Sequence, residues 1–335
     1  MANPVSHSQV SAVHPTWAIE GGRVDIDGAG FSIEGDRLPE VWIGGIRARI
    51  VFASPQRLGV LVPPGLPPGR VLVEVVGSYG GPVFLTVAGV VTTGIHQVDN
   101  PVIGPDGSVY VTNSGSRGES VPVSVFRVRP GGEREPYARG IVNSTSMTFG
   151  PDGRLYVSSR FEGSVYRVDS DGRPEVFATD LGVACGLAFG SDGSLYVGDR
   201  SGTVFRLSPG GKAAAFATLP ASVAAFHLAM APDGRLYATG PTMAPRDAVY
   251  RIDPDGTVDV VAPGFGRPQG LAFDAAGVLH VVEALAGASG VYRIGPDGAT
   301  VRVLAAAGLV GVAIDPMHGM ALASNDTLYR LPVRA

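Results

Sequence analysis

From about residue 100 onward the chain alternates apolar and polar residues in short bursts, each introduced by a tight turn. "GPDGSVYVTN" begins at Gly104, "GPDGRLYVSS" at Gly150, "GSDGSLYVGD" at Gly190 and "APDGRLYATG" at Ala231. Looser copies follow, "DAAGVLHVVE" at Asp274 and "MHGMALAS" at Met317. A period of two is the mark of a strand, because successive side chains point to opposite faces. Asp-Gly suits the turn because both residues tolerate the positive φ that tight hairpins need. The turn glycines Gly107, Gly153, Gly193, Gly234, Gly277 and Gly319 are 46, 40, 41, 43 and 42 residues apart. A period of about 40–45 residues with several strands per unit is a propeller signature. The second unit reads as four strands, "SMTF", "RLYVSS", "SVYRVD" and "PEVFAT". Six such units predict six blades over residues 91–335.

The third strand of each unit is the most regular, with an apolar residue, an aromatic and an arginine. The aromatics Phe126, Tyr166, Phe205, Tyr250, Tyr292 and Tyr329 are expected to pack between neighbouring sheets, with the arginines on the opposite face. The sixth unit ends "TLYRLPVRA", with no room for a fourth strand. An unpaired edge is a liability, so "GVVTTGIHQ", residues 89–97, is expected to supply the outer strand of the last blade.

Residues 1–90 lack this period. They carry short strands and paired glycines in an immunoglobulin-like rhythm: "HPTWAIEGGRVDIDGAGF", then "VWIGGIRARIVFASPQRLGVLVPPG". This segment resembles the IPT/TIG family. The resemblance implies a β-sandwich used as a spacer or binding module, with Trp17 and Trp42 in its core. The fold class expected for the whole chain is therefore all-β, an Ig-like β-sandwich (1–90) plus a six-bladed β-propeller (91–335).

Composition adds exclusions. With 45% hydrophobic residues, 48 glycines and 27 prolines, the chain suits a sizeable core of short strands and tight turns. A net charge of −4 gives no reason to expect nucleic acid or an acidic membrane as partner. One cysteine, Cys185, rules out an intrachain disulfide and a cysteine-rich zinc site. The opening "MANPVSHSQV" has no charged segment followed by an apolar run, so a secretory leader is not expected, and no stretch approaches about 18 uninterrupted apolar residues, so neither is a membrane span. The cytoplasm is the expected location; a secreted chain trimmed of its leader would read the same.

Sites are sought where the repeat breaks. In a propeller, the loops entering the inner strand and those leaving the second strand share one face, around the channel mouth. Before the inner strands stand Asp99-Asn100, Thr145-Ser146, Cys185-Gly186, Phe226-His227, Gln269-Gly270 and Val310-Gly311. Ending the second strands are Asn113, Ser159-Arg160, Asp199-Arg200, Gly240, Glu283 and Asn325-Asp326. Asn100, Asn113, Ser146, Arg160, Cys185, Arg200, Gln269 and Asn325 are thus candidate ligand contacts, and a small molecule is a more natural partner than a macromolecule. His227 stands where other units carry small or amide residues, a position for a general base; Glu283 is a candidate acid. Asp199-Arg200 and Arg160-Glu162 are expected as surface ion pairs. The loops after the second strand are long in the first, fourth and fifth units, which predicts a raised wall on one side.

Residues 95–335 resemble the NHL-repeat propellers and the gluconolactonase-like propellers, on "GPDGRLYVSS…VYRVDSDG", "CGLAFGSDGSLYVGD" and "QGLAFDAAGVLHVVE". The resemblance to lactonases implies a divalent cation, such as Ca, Mg or Zn, at the channel mouth. Asp99 matches the position of one carboxylate ligand; the other matching positions hold Cys185 or Phe226, and Gln269. Asp99, Asp199 and Glu283 are the residues left to supply anionic oxygens. Three readings follow: a lactonase-like hydrolase, a non-enzymatic module that binds protein or polymer, and a metal-free lyase or isomerase using His227 and Glu283.

Overall fold

A computed structural model describes residues 8–33, 38–285 and 287–331. The first seven residues of the opening segment and the last four of "TLYRLPVRA" lie outside them. Among the described residues every regular element is a strand, and no helix is long and apolar enough to cross a membrane. The chain divides into two compact units. The first comprises Met1–Val90 with Ala286–Tyr292 and Val301–Ala307, and the second comprises Val91–Leu285, Arg293–Thr300 and Gly308–Ala335.

The first unit is a sandwich. Strand Ile46–Ser54 pairs through Ile46–Ala48 with Val41–Ile43, and through Arg49–Ser54 with Arg57–Leu61, so one strand serves both layers. Alternation sends Val13, Val24, Ile26, Ile43, Val60, Val73 and Leu85 into a shared core, all nearly inaccessible. Both tryptophans are only half-buried, which corrects the expectation that they form the core; β-branched residues and leucine fill it instead. Ala18 pairs in parallel with Val87 on one side and Ala305 on the other. Gly22 lies against Ala305, where an added Cβ would come within 2.5 Å of its carbonyl oxygen.

The second unit is a propeller-like ring of sheets. The innermost strands are Val102–Ile103, Ser144–Phe149, Ala184–Phe189, His227–Met230, Pro268–Phe273 and Leu309–Asp315. They neighbour one another in chain order, and the last lies beside the first. Four sheets follow the expected order of four successive strands, the second being Ser144–Phe149, Leu155–Ser159, Ser164–Val168 and Pro174–Ala178. A further four-stranded sheet consists of Leu309–Asp315, Gly319–Ser324, Thr327–Leu331 and then Gly89–Thr93. The count of separate blades is thereby five, which corrects the expected six. The fifth repeat has its strands in order, but its outer strand Thr300–Ala305 continues its ladder into Ala18 instead of ending a sheet of its own.

Packing between sheets follows the expectation in part: Phe126, Tyr166, Phe205 and Tyr250 pack against cores that draw residues from two neighbouring sheets. The third-strand aromatics Phe126, Tyr166, Phe205, Tyr250 and Tyr292 are only half-buried, and Tyr329 alone of the six is buried. Edge-on ring pairs between sheets come from the second strands. Tyr110 meets Phe149 of the next sheet edge-on at 5.3 Å, Tyr156 meets Phe189 at 4.9 Å, and Tyr237 meets Phe273 at 5.0 Å. Such pairs are worth about 0.5–1.5 kcal/mol beyond their buried area. The second strand lies nearer the hub than the third, so its outward ring reaches the neighbouring inner strand.

Candidate functional site

Most of the residues that break the repeat hold the ring together. In the second repeat the Ser159 hydroxyl, at the end of the second strand, donates to the Val142 carbonyl at 2.5 Å. In the third, Asp199 takes that place, accepting the Val183 N–H at 2.7 Å and the Ser201 hydroxyl. In the fifth, Glu283 accepts the N–H groups of Gly266, Arg267 and Leu285 at 2.6, 2.8 and 2.7 Å. Different side chains thus clasp the same loop, satisfying backbone groups that burial would otherwise leave unpaired.

The inner strands are laced in a similar way. Ser158 Oγ accepts the Ser146 N–H at 3.0 Å and donates to the Cys185 carbonyl at 2.7 Å, while Ser146 Oγ accepts the Leu187 N–H at 3.0 Å. Asn100 donates to the Leu271 carbonyl and accepts the Val312 N–H, both at 3.0 Å. Gly270 and Gly311 leave room for it: a Cβ on Gly270 would lie 2.0 Å from Asn100 Oδ1. The Gln269 carbonyl accepts the Thr239 hydroxyl at 2.6 Å, Asn325 donates to the Gln97 carbonyl at 3.2 Å, and Asn113 donates to the Val123 carbonyl at 3.1 Å. Of the expected ligand contacts, Asn100, Asn113, Ser146 and Asn325 therefore spend their side chains on the scaffold.

Two constellations remain. The first joins Asp99 and His227, both buried, with Nδ1 of the imidazole 2.5 Å from Asp99 Oδ1. The same oxygen accepts the Asn100 N–H at 2.7 Å, and the Asp99 carbonyl accepts from Gln97 Nε2 at 2.8 Å. With Nδ1–H on the carboxylate, Nε2 is left as the basic nitrogen; it is buried and has no hydrogen-bond partner among the described residues. The carboxylate that meets His227 is thus Asp99, while Glu283 is held by its own loop.

The second is a cleft of about 840 Å³ on the loops of consecutive repeats, lined by Arg117, Asn143, Arg160, Phe161, Cys185, Asp199, Arg200 and residues 221–225. It brings together four of the candidate residues: Arg160, Cys185, Asp199 and Arg200. Of the long loops expected to raise a wall, only the first contributes, through Arg117. Cys185 is buried, donates to the Val183 carbonyl at 3.2 Å, and has its thiol pushed up to about 12 by that burial, so it is a packed thiol and not a nucleophile. Among the described residues the expected ion pairs are not formed. Glu162 accepts the Tyr166 hydroxyl at 2.8 Å instead of pairing with Arg160, and Asp199 serves Val183 and Ser201 instead of Arg200.

Asn143 is a site residue that the breaks in the repeat do not single out. It is buried with a φ of 49°, in the left-handed region that asparagine tolerates better than most residues. Its amide donates to the Ser114 and Ser116 carbonyls at 2.5 and 2.7 Å, and its Oδ1 accepts the Gly118 N–H at 2.7 Å. The available signal was a lone Asn ahead of an inner strand, in "VNSTSMTF".

The carboxylates expected to hold a divalent cation do not fit that task as arranged. Asp99 meets His227, while Asp199 and Glu283 accept backbone and hydroxyl hydrogens of their own loops. Among the described residues no group of three or more His, Cys, Asp or Glu side chains is gathered as a metal site.

Residues 8–90 match the family described as the IPT/TIG domain. No curated protein matches the sequence. Among solved structures, a gluconolactonase from Xanthomonas campestris is similar at 15% identity and a TM-score of 0.59, covering 73% of this chain and 89% of its own. An auxiliary nutrient binding protein from Bacteroides ovatus is 15% identical with a TM-score of 0.54, covering 99% of both chains. A catalytically inactive histidine-to-alanine variant of virginiamycin B lyase from Staphylococcus aureus, solved with quinupristin, is 14% identical with a TM-score of 0.54, covering 100% of this chain and 98% of that one. At these identities the likeness carries the fold and no activity. The chain is thus an IPT/TIG domain at residues 8–90 joined to a β-propeller with gluconolactonases among its structural neighbours.

Proposed function

We propose that the propeller binds a small organic molecule in the cleft between Arg160 and Arg200. The observation that carries this reading is the cleft itself: about 840 Å³ is within the range of small-molecule sites, roughly 300–1,000 Å³. It also lies on the loops where four of the residues that break the repeat come together. A nutrient-binding protein and a gluconolactonase among the structural neighbours are compatible with such a role. The test is a panel of small metabolites and lactones screened by thermal shift. Hits are then measured against Ala224→Trp, which fills the cleft from its wall. Binding weakened at least about tenfold in a variant that still melts cooperatively supports the reading; hits unaffected by the tryptophan overturn it.

A second reading rests on Asp99 and His227. A carboxylate that orients an imidazole through Nδ1 leaves Nε2 as a proton acceptor, and the inactive lyase neighbour is itself a histidine variant. The chain would then be a lyase or isomerase in which His227 moves the proton and Asp99 stabilises the imidazolium. Turnover found on the panel is expected to survive chelator and to fall by roughly 10²-fold or more in His227→Gln. Turnover unchanged in a folded His227→Gln protein removes this mechanism.

A further inference from the structure

Several arginines of the repeats have carboxylate partners: Arg129 pairs with Glu135 at 3.0 Å, Arg167 with Glu175 at 2.8 Å, Arg206 with Asp192 at 2.5 Å, and Arg251 with Asp259 at 2.6 Å, while Arg330 reaches the backbone carbonyls of His318 and Gly107. In the cleft, Arg117, Arg160 and Arg200 have no carboxylate partner among the described residues. Carboxylates stand close by in sequence but are spent elsewhere. Glu119 accepts the Ser116 N–H at 2.7 Å, Glu162 holds the Tyr166 hydroxyl, and Asp199 is bound to Val183 and Ser201.

Of the three arginines around the concavity, Arg117 and Arg200 are exposed to water. Arg160 is half-buried; burial pulls it below its ordinary value, and the charge of Arg200 adds to the effect. A partly desolvated cation beside a like charge is stabilised by a counter-charge, and Asp199, the carboxylate in the lining, is already engaged by Val183 and Ser201.

The arrangement is also held in place. The Arg160 N–H reaches the Asn143 carbonyl at 3.4 Å. The Asn143 side chain fixes the loop that carries Arg117 through Ser116 and Gly118. Arg200 is held at both ends of its peptide, its N–H on the Val183 carbonyl at 3.2 Å and its carbonyl accepting from Ser222 at 3.0 Å. Backbone anchoring reduces the ordering cost of binding, and the planar guanidinium fork matches two oxygens of one carboxylate or phosphate. Between the charges the wall is apolar, with Phe161 and Val223 in the lining and 53% and 42% exposed.

We infer that the cleft takes an organic oxyanion, a carboxylate or phosphate on an apolar body, with Arg160 and Arg200 on the anionic head and Phe161 and Val223 against the body. This rests on the reading of the cleft as a small-molecule site.

The experiment titrates the full chain with phenylphosphate, benzoate, inorganic phosphate and neutral benzyl alcohol by calorimetry at low salt. It is repeated on Arg160→Gln and Arg200→Gln, each checked for an unchanged melting temperature. Cleft occupancy is read independently, as protection of Arg160 and Arg200 from phenylglyoxal in peptide mass spectra. The expected result is that phenylphosphate or benzoate binds, protects both arginines, weakens with added salt, and loses roughly tenfold or more in each variant. Benzyl alcohol should bind at least that much more weakly. If benzyl alcohol binds as tightly as the anions and the arginine variants bind equally well, the oxyanion inference falls while the small-molecule reading stands. Inorganic phosphate binding as tightly as phenylphosphate overturns the apolar-body half. If no probe protects the arginines and the metabolite panel also yields no hit sensitive to Ala224→Trp, both readings fall.

Discussion

Cys185 illustrates what a single side chain's surroundings decide. Its place beside Arg160 would favour a reactive thiolate in an open site, since a nearby cation lowers a thiol's pKa. Burial wins, and the thiol is pushed up to about 12. Folded protein at pH 8 is therefore expected to resist iodoacetamide, with Cys185 labelled only after denaturant; rapid labelling of native protein, read by intact mass, would contradict this. The Asp99–His227 pair makes the complementary point about legibility. Each residue stands out in the sequence by breaking the repeat, yet 128 residues separate them. Nothing in spacing tells a reader that the two side chains share a hydrogen bond. Their meeting follows from the closure of the inner strands into a ring, which is a property of no single repeat. Arg160 and Arg200 were easier to find, because they follow the second strand at equivalent points of consecutive repeats.

At the level of strands and loops, the four-strand rhythm was legible because turn chemistry and alternation recur in every copy. The meaning of the departures was not. Ser159, Asp199 and Glu283 look like three unrelated polar residues, but each ends its second strand by satisfying backbone groups of the loop before its own inner strand. Variation in identity at a repeat position can therefore mark variation in loop length and donor geometry rather than a ligand. Glu283→Ala would leave three partly buried N–H groups without their acceptor. We expect a stability loss of about 2–4 kcal/mol in urea unfolding, with affinity for any cleft ligand unchanged within twofold. A normal unfolding midpoint, or a large change in ligand affinity, would show that Glu283 does something other than clasp its loop. The third-strand aromatics were legible as packing between sheets, as Phe126, Tyr166, Phe205 and Tyr250 do, but regularity in sequence does not say whether their shared environment is the deepest one. The second-strand tyrosines, nearer the hub, make the edge-on ring pairs between sheets.

On the scale of the whole molecule, the number of repeats and the number of separate blades part company. The six turns are written in the sequence, whereas the pairing of Ala18 with Ala305 has no periodic mark, being a parallel bridge between residues almost three hundred positions apart. That bridge absorbs the outer strand of one repeat and leaves five free-standing four-stranded sheets. The sheet that holds Gly89–Thr93 has an equally non-local origin. Next to that strand, the Ile95 and Gln97 N–H groups reach the carbonyls of Asp326 and Asn325 at 3.2 and 3.0 Å. An early segment is thus seated among strands made more than two hundred residues later. While the protein is being synthesised, residues 89–97 emerge long before their partners and must wait, unzipped, until Thr327–Leu331 leaves the ribosome. Loop closure over such a distance is slow. The strand that fastens the ring is therefore also a stretch open to chaperones, proteases or a wrong neighbour in the interval before Thr327–Leu331 is translated.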